Sequence, residues 1–444
     1  MPRRNLQNAA GIIAISLLCW HVVSSATTHQ GYDIFRIFVA TIGQVEREYV
    51  QPIESNEIFQ GGIAGLIASL DSESSYLTPS TYQQLQQEAE KGEIGIHVES
   101  IGQQRGIRVL GVLPGSSAEQ AGVLPGDVIA EINDQNSTRL SLEESLLLIR
   151  GKPDSDLSLK IYRPSGFLEF PLRPSAISDP ENGAPTVAND GSITISIQRS
   201  TLVPPDITGL DKQENGTWNH WITEQHNIAY VRLVSLNSGT SQSLSQLMTK
   251  FSQDSCRGVI LDLRFNVSGS RAEAIKVADL FISEGELARV RGPNLQEEQW
   301  TALSEDTFEQ VPLAVLTNQF TAGPSEMLAA SLKDNDRAPI IGERTRGKTS
   351  VTRIIPLKDG NSALKLTVGS CIRPNGKDLL RYPGDRASDS WGVKPDFEIG
   401  QMAEVIMEHF RTRTISEPPT FQDEALSKAL ELLTSETEPE NTDS

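Results

Sequence analysis

Cysteine, histidine and positive charge are all scarce in this chain, and each scarcity closes off a class of function. There are 3 cysteines in 444 residues, and Cys19 falls in an apolar N-terminal run. The remaining pair, Cys256 and Cys371, does not make a disulfide framework, and nothing in the sequence places the two within bridging distance. Both read as small buried hydrophobes. The 6 histidines, at positions 21, 29, 97, 220, 226 and 409, are scattered, with no HExxH and no CxxC. No metal site and no cofactor is expected. Lysine and arginine total 39 against 58 acidic residues, a net charge of −19. A phosphate backbone would find no extended basic face, so nucleic acid is excluded as a partner.

Hydrophobic runs long enough to span a bilayer are also missing. The run "AAGIIAISLLCWHVV", Ala9 to Val23, is shorter than the roughly 18 apolar residues expected of a spanning helix, and His21 interrupts it. Arg3 and Arg4 precede it, and Ser24 and Ala26 follow with the small-residue spacing of a signal-peptidase site. Residues 1–26 therefore read as a signal peptide or a retained membrane anchor. Export to the periplasm or cell envelope follows from either reading. Leu18 before Cys19 is too large for the residue that precedes a lipid-modified cysteine.

What is present is an ordinary globular composition, 38% hydrophobic with 34 Gly and 24 Pro, in a chain long enough for two or three domains. Residues 32–90 repeat apolar residues at helical spacing and read as a small helical domain. Residues 92–174 turn to short alternating runs, "IGIHV", "IRVLGVL", "VIAEIN" and "LSLKIYR", with "SLEESLLLIRG" as the strong helical stretch. That pattern predicts a small β barrel with one long helix. Residues 175–227 are rich in Pro, Gly, Asn and Asp and read as an irregular connector holding one strand, "SITISI". Residues 228–400 alternate buried strands ("IAYVRLV", "GVILDLR", "PLAVLTN", "APIIG") with helices ("RAEAIKVADLFI", "SEMLAASLK"), the βαβ signature. Residues 401–444 hold two helices, around "QMAEVIMEHF" and "DEALSKALELL", and an acidic tail. The fold class is multidomain α+β.

The order helical segment, β domain, α/β core resembles the carboxyl-terminal processing peptidases, or tail-specific proteases, with an embedded PDZ domain. "GIRVLGVLPGSSAEQAGVLPGDVIAEIN" is similar to the PDZ signature, with a Pro-Gly turn, a short helix at Ser117 to Ala121, then Gly122, Gly126 and Asp127. "YVQPIES" and "GGIAGLIASLDSESSYLTPSTYQQL" are similar to the family's helical entry, and "YVRLVSLNSGT", "GVILDLR", "RAPIIGERTRGK", "ALKLT" and "WGVKPD" fall in its order and spacing. The resemblance implies a helical N-terminal domain, a PDZ-like β barrel and a ClpP/crotonase-like α/β protease core.

It also implies a serine protease that uses lysine as general base, the Ser-Lys variant of the catalytic triad. Such a lysine must lose its proton near neutral pH, which requires desolvation. Lys348 in "TRGKTS" matches the base. The family's nucleophile lies in a segment like "SASASE", about 25 residues ahead of the lysine. That position here is Gly323, in "TAGPSE". Ser325, two residues on, would be turned about 200° around a helix axis and fits a helix cap better. Two more positions depart from the resemblance. Thr352 stands where the family has glutamine. The turn "FNVSG", Phe265 to Gly269, stands where it has "NNPGG", leaving Gly269 as the matching oxyanion residue.

The PDZ-like segment would bind peptide C-termini by strand addition, with the turn Gly92 to Ile96 receiving the carboxylate at Gly95 and Ile96. Leu142, Leu146 and Ile149 follow helical spacing and read either as groove lining or as core. Two functions remain open on the sequence. One is a pseudoprotease that binds C-terminal protein or peptide tails; the other is an active endopeptidase with Ser325 as displaced nucleophile and Lys348 as base. Assembly into homo-oligomers and attachment to a membrane through the N-terminal segment also stay open.

Overall fold

The computed structural model describes residues 29–87, 92–101, 106–163, 186–187, 191–201, 204–222, 227–303, 307–401, 406–407, 410 and 422–435. The expected signal or anchor lies outside them, as does most of the helix expected around "QMAEVIMEHF". Among the described residues no helix is long and apolar enough to cross a membrane. Two compact units divide between Gly65 and Leu66.

The first unit contains α1 (His29–Glu48) and most of α2 (Ser55–Ala68). Phe38 meets Phe59 with ring centroids 6.4 Å apart, and a side chain at Gly62 would strike the Phe38 ring.

The second unit is built on a parallel sheet. Strands β7 (Ile228–Leu233), β8 (Gly258–Asp262), β11 (Leu313–Thr317), β12 (Ile340–Gly342) and β15 (Phe397–Glu398) pair in parallel in that order. Each of the first three is buried at every position, because helices cover both faces and the strands carry no polar alternation. Ala229, Val231, Val259, Leu261 and Val315 face the helices α6 (Thr240–Gln253), α7 (Arg271–Asp279) and α8 (Pro324–Asp334). Tyr230, Ile260, Ala314 and Leu316 face α9 (Glu424–Ser435) through Ala425, Ala429 and Leu433. That helix is pinned by charge as well, since buried Arg264 pairs with both Asp262 (2.6 Å) and Asp423 (2.8 Å).

A second, antiparallel sheet runs β1 (Ser75–Leu77), β14 (Ala363–Ile372), β9 (Glu286–Arg291), β10 (Glu298–Thr301), with β13 (Ser350–Pro356) on the other edge of β14. Helix α3 (Pro79–Gln86) follows β1.

The β domain places β2 (Ile96–Ser100), β3 (Ile107–Val112), β4 (Val128–Ile132), β5 (Asp156–Tyr162) and β6 (Ser192–Gln198) side by side, with α4 (Ser117–Gln120) and α5 (Leu142–Ile149) against them. Strand β6 is the "SITISI" segment, expected within an irregular connector. It instead pairs with β5 along its full length, from Tyr162 opposite Ser192 to Asp156 opposite Gln198. The reason is its alternation: Ile193, Ile195 and Ile197 complete the core begun by Leu157, Leu159 and Ile161. Short strands at Ile207–Thr208 and Trp221–Ile222 pair with β7, so the end of the expected connector belongs to the core sheet.

Candidate functional site

Position 323 sits between β11 and α8, where the chain turns sharply. Gly323 has φ 62° and ψ −125°, a conformation that is almost closed to other residues. Space is not what calls for glycine there. A Cβ would have as nearest neighbours the carbonyl oxygens of Lys348, at 3.7 Å, and Val267, at 3.9 Å. The next residue, Pro324, opens the helix and carries no N–H. Ser325 is 0% exposed and its hydroxyl has no hydrogen-bond partner among the described residues, so it is not the cap expected from sequence.

Capping falls to Glu326, which the sequence reading passed over. It lies one helical turn in and is fully buried. One carboxylate oxygen accepts from Thr345 Oγ1 (2.5 Å) and the Gly347 N–H (2.6 Å), the other from the N–H groups of Lys348 (2.7 Å) and Gly323 (3.1 Å). A single side chain thereby locks the 345–348 loop to the turn at 323. Burial pushes the carboxyl up to about 7, against the hydrogen bonds that pull it down. The spacing of an acid three residues after the helix cap was the available signal for it.

Lys348 is brought to this turn by its backbone, while its ammonium forms an ion pair with Glu73 at 2.7 Å. Glu73 comes from the segment before β1, and nothing local in the sequence singles it out. Thr352 is exposed, at a bulge between β13 and β14.

The turn Phe265–Gly269 has become a seat for the β domain. Phe265, at φ 62°, stacks on Phe320 with centroids 5.6 Å apart, and both rings belong to the β domain's apolar cluster. Val267 packs on the same cluster and faces Gly111 of β3. Gly269, at φ 119°, bridges to Leu236. From the other side, Glu99 on β2 pairs with Arg346, two residues before Lys348, and Glu143 on α5 pairs with Lys365 at 2.7 Å.

The residues expected to hold a peptide divide. Gly95 has φ 78°, and a Cβ there would lie 2.3 Å from Ser116 Cβ, so only glycine fits. Ile96 and Leu146 are partly buried against the β-domain cluster. Leu142 and Ile149 are buried members of that cluster. Beside this turn His97 lies against the core. Burial, with Lys348 and Arg150 nearby, lowers its imidazole to about 4, leaving it neutral near pH 7. Cys256 and Cys371 are free thiols, and burial pushes Cys371 up to about 12.

Residues 227–399 match peptidase family S41, and residues 83–162 match the PDZ domain. The chain belongs to the carboxyl-terminal processing, or tail-specific, protease family. It is 29% identical over 341 residues to the carboxy-terminal processing protease CtpA of Bacillus subtilis, covering 75% of this chain and 64% of that one. It thus spans just under two thirds of that relative's length. A carboxy-terminal-processing protease of Bartonella bacilliformis is 27% identical over 411 residues, with 90% and 83% covered. Among solved structures, the photosystem II D1 C-terminal processing protease superposes with a TM-score of 0.60 at 22% identity, covering 93% of this chain and 99% of that one. The β domain is therefore the PDZ domain, and the parallel-sheet body is the tail-specific protease fold.

Proposed function

We propose that this member of the tail-specific protease family is an exported pseudoprotease that binds protein C-termini through its PDZ domain. The observation that carries the reading is the pair Gly323-Pro324. In serine hydrolases the nucleophile commonly stands on a strained turn ahead of a helix, and the N–H of the following residue is a natural oxyanion donor. Position 323 keeps the strained turn, φ 62° and ψ −125°, without a side chain. Position 324 is proline and has no N–H to offer. Losing one oxyanion donor costs roughly 3 kcal/mol of transition-state stabilisation, and losing the nucleophile removes acyl transfer altogether.

Two further features agree. Lys348, the base by family resemblance, has its ammonium committed to Glu73. Phe265 and Val267, on the turn that resembles the oxyanion turn, are packed into the PDZ cluster. The alternative, an endopeptidase with Ser325 as nucleophile, needs a hydroxyl that a substrate carbonyl can reach, and Ser325 is 0% exposed.

A serine-reactive fluorophosphonate probe tests this reading. The parent should not be labelled, and Gly323→Ser should label weakly because Pro324 still withholds a donor. Gly323→Ser/Pro324→Ala should label faster than the single variant by about 100-fold, the value of one oxyanion donor. Labelling of the parent that disappears in Ser325→Ala would overturn the proposal.

A further inference from the structure

A cavity of about 240 Å³ lies between the PDZ domain and the protease-like body. The PDZ wall includes Gly95, His97, Leu113 and Ser117; the facing wall includes Val234 and Ser268. Ser268 belongs to the turn Phe265–Gly269, whose neighbours Phe265 and Val267 anchor the PDZ domain. Two buried polar atoms of the PDZ wall, His97 Nε2 and Ser117 Oγ, have no hydrogen-bond partner among the described residues. Orphaned buried polar atoms are rare in native proteins and call for a ligand or water.

The chemistry of the walls narrows the ligand. Among the described residues no lysine or arginine lines the cavity, and the one formal charge among them, Glu93, is paired with Arg150 at 2.8 Å. A polyanion such as phosphate would find no countercharge among them. A monoanionic carboxylate can be held by hydroxyl and backbone donors alone, with its neighbouring side chain against Ile94, Leu113 and Val234. The volume suits one terminal residue and is below the roughly 300 Å³ at which pockets for drug-sized ligands begin.

We propose that this cavity is a composite carboxylate site, in which the terminal residue of a bound chain is gripped by the PDZ turn on one side and by Ser268 on the other. It rests on the C-terminus-binding reading given above and extends it. The turn that would face an oxyanion in a working protease here faces the ligand's carboxylate. Affinity for tails then depends on the protease-like body as well as on the PDZ domain.

Titration calorimetry on the full chain tests this with three probes that share an apolar last residue: a peptide with a free carboxylate, the same peptide amidated, and the N-acetylated amino acid alone. The free acid peptide should bind, and amidation should weaken it at least about tenfold. Ser268→Leu, which fills the cavity from the body, and Ser117→Leu, which fills it from the PDZ wall, should each weaken it at least about tenfold at unchanged melting temperature. The second variant serves if the first fails to fold. Equal binding by the N-acetylated amino acid would support the carboxylate site and identify a free acid as the ligand. Parent-like affinity in both filled variants would overturn the composite site while leaving PDZ binding intact. No binding of any probe by the parent would instead remove the reading on which it rests.

Discussion

The turns at Gly95 and Gly323 both hold glycine at positive φ, 78° and 62°, yet for different reasons. At Gly95 a Cβ would land 2.3 Å from Ser116 Cβ, so packing forbids any side chain. At Gly323 the nearest atoms are 3.7 and 3.9 Å from a Cβ, and the backbone angle is the sole objection. Packing and backbone together demand glycine in the PDZ turn, whereas in the body's turn the backbone alone does. The scaffold has room for a side chain at 323, and Glu326 binds the 345–348 loop to that turn. What differs between the two regions is chemistry, with the framework of both intact.

The largest expected effect tests that framework. Glu326→Ala strands four donors, two of them buried and two half-buried, and the variant should lose about 3 to 5 kcal/mol in denaturant unfolding. A loss below about 1 kcal/mol would mean that the loop and turn are held by other contacts. Next comes the comparison itself. Gly95→Ala meets both a clash and the wrong φ and should cost about 2 to 4 kcal/mol, whereas Gly323→Ala meets the φ alone and should cost about 1 to 2. Equal costs would erase the distinction between a glycine demanded by packing and one demanded by the backbone alone.

The two perturbed groups beside these turns give opposite pH dependences. The Glu326 carboxyl is raised from 4.5 to about 7, so between those values the folded state binds more protons than the unfolded one. Its contribution is complete below pH 4.5 and is lost as pH rises through about 7. His97 is lowered from 6.5 to about 4, so its contribution is present above 6.5 and lost as pH falls through about 4. Glu326→Gln should flatten the upper arm of a stability–pH profile, and His97→Gln the lower arm. Convergence of both variants on the parent profile would contradict these assignments. The smallest effect belongs to Ser325→Ala. Removing an unpartnered buried hydroxyl should change stability by less than about 1 kcal/mol, in the stabilising direction, as read by thermal unfolding.

Much of the fold could be read from sequence because it depends on local patterns. "GVILDLR" and "PLAVLTN" have no polar alternation and became central parallel strands, and "SEMLAASLK" became the helix after position 323. "SITISI" was legible as a strand, but its partner was not, since pairing with β5 crosses a stretch rich in turn residues. At the site, Lys348, Gly323 and the Phe265–Gly269 turn could be found by resemblance. Glu326 could have been suspected from its spacing to the helix cap, although its four donors come from chain segments up to 22 residues away. Glu73, His97 and the cavity wall at Ser268 depend on contacts between distant segments, and no local pattern announces those.

The central claim is that the scaffold survives without the reaction. Its most direct test is cleavage of an unfolded protein bearing an apolar C-terminus by the parent and by Lys348→Ala, followed by mass spectrometry of the products. The account predicts the same background for both. Turnover by the parent that vanishes in Lys348→Ala would contradict it.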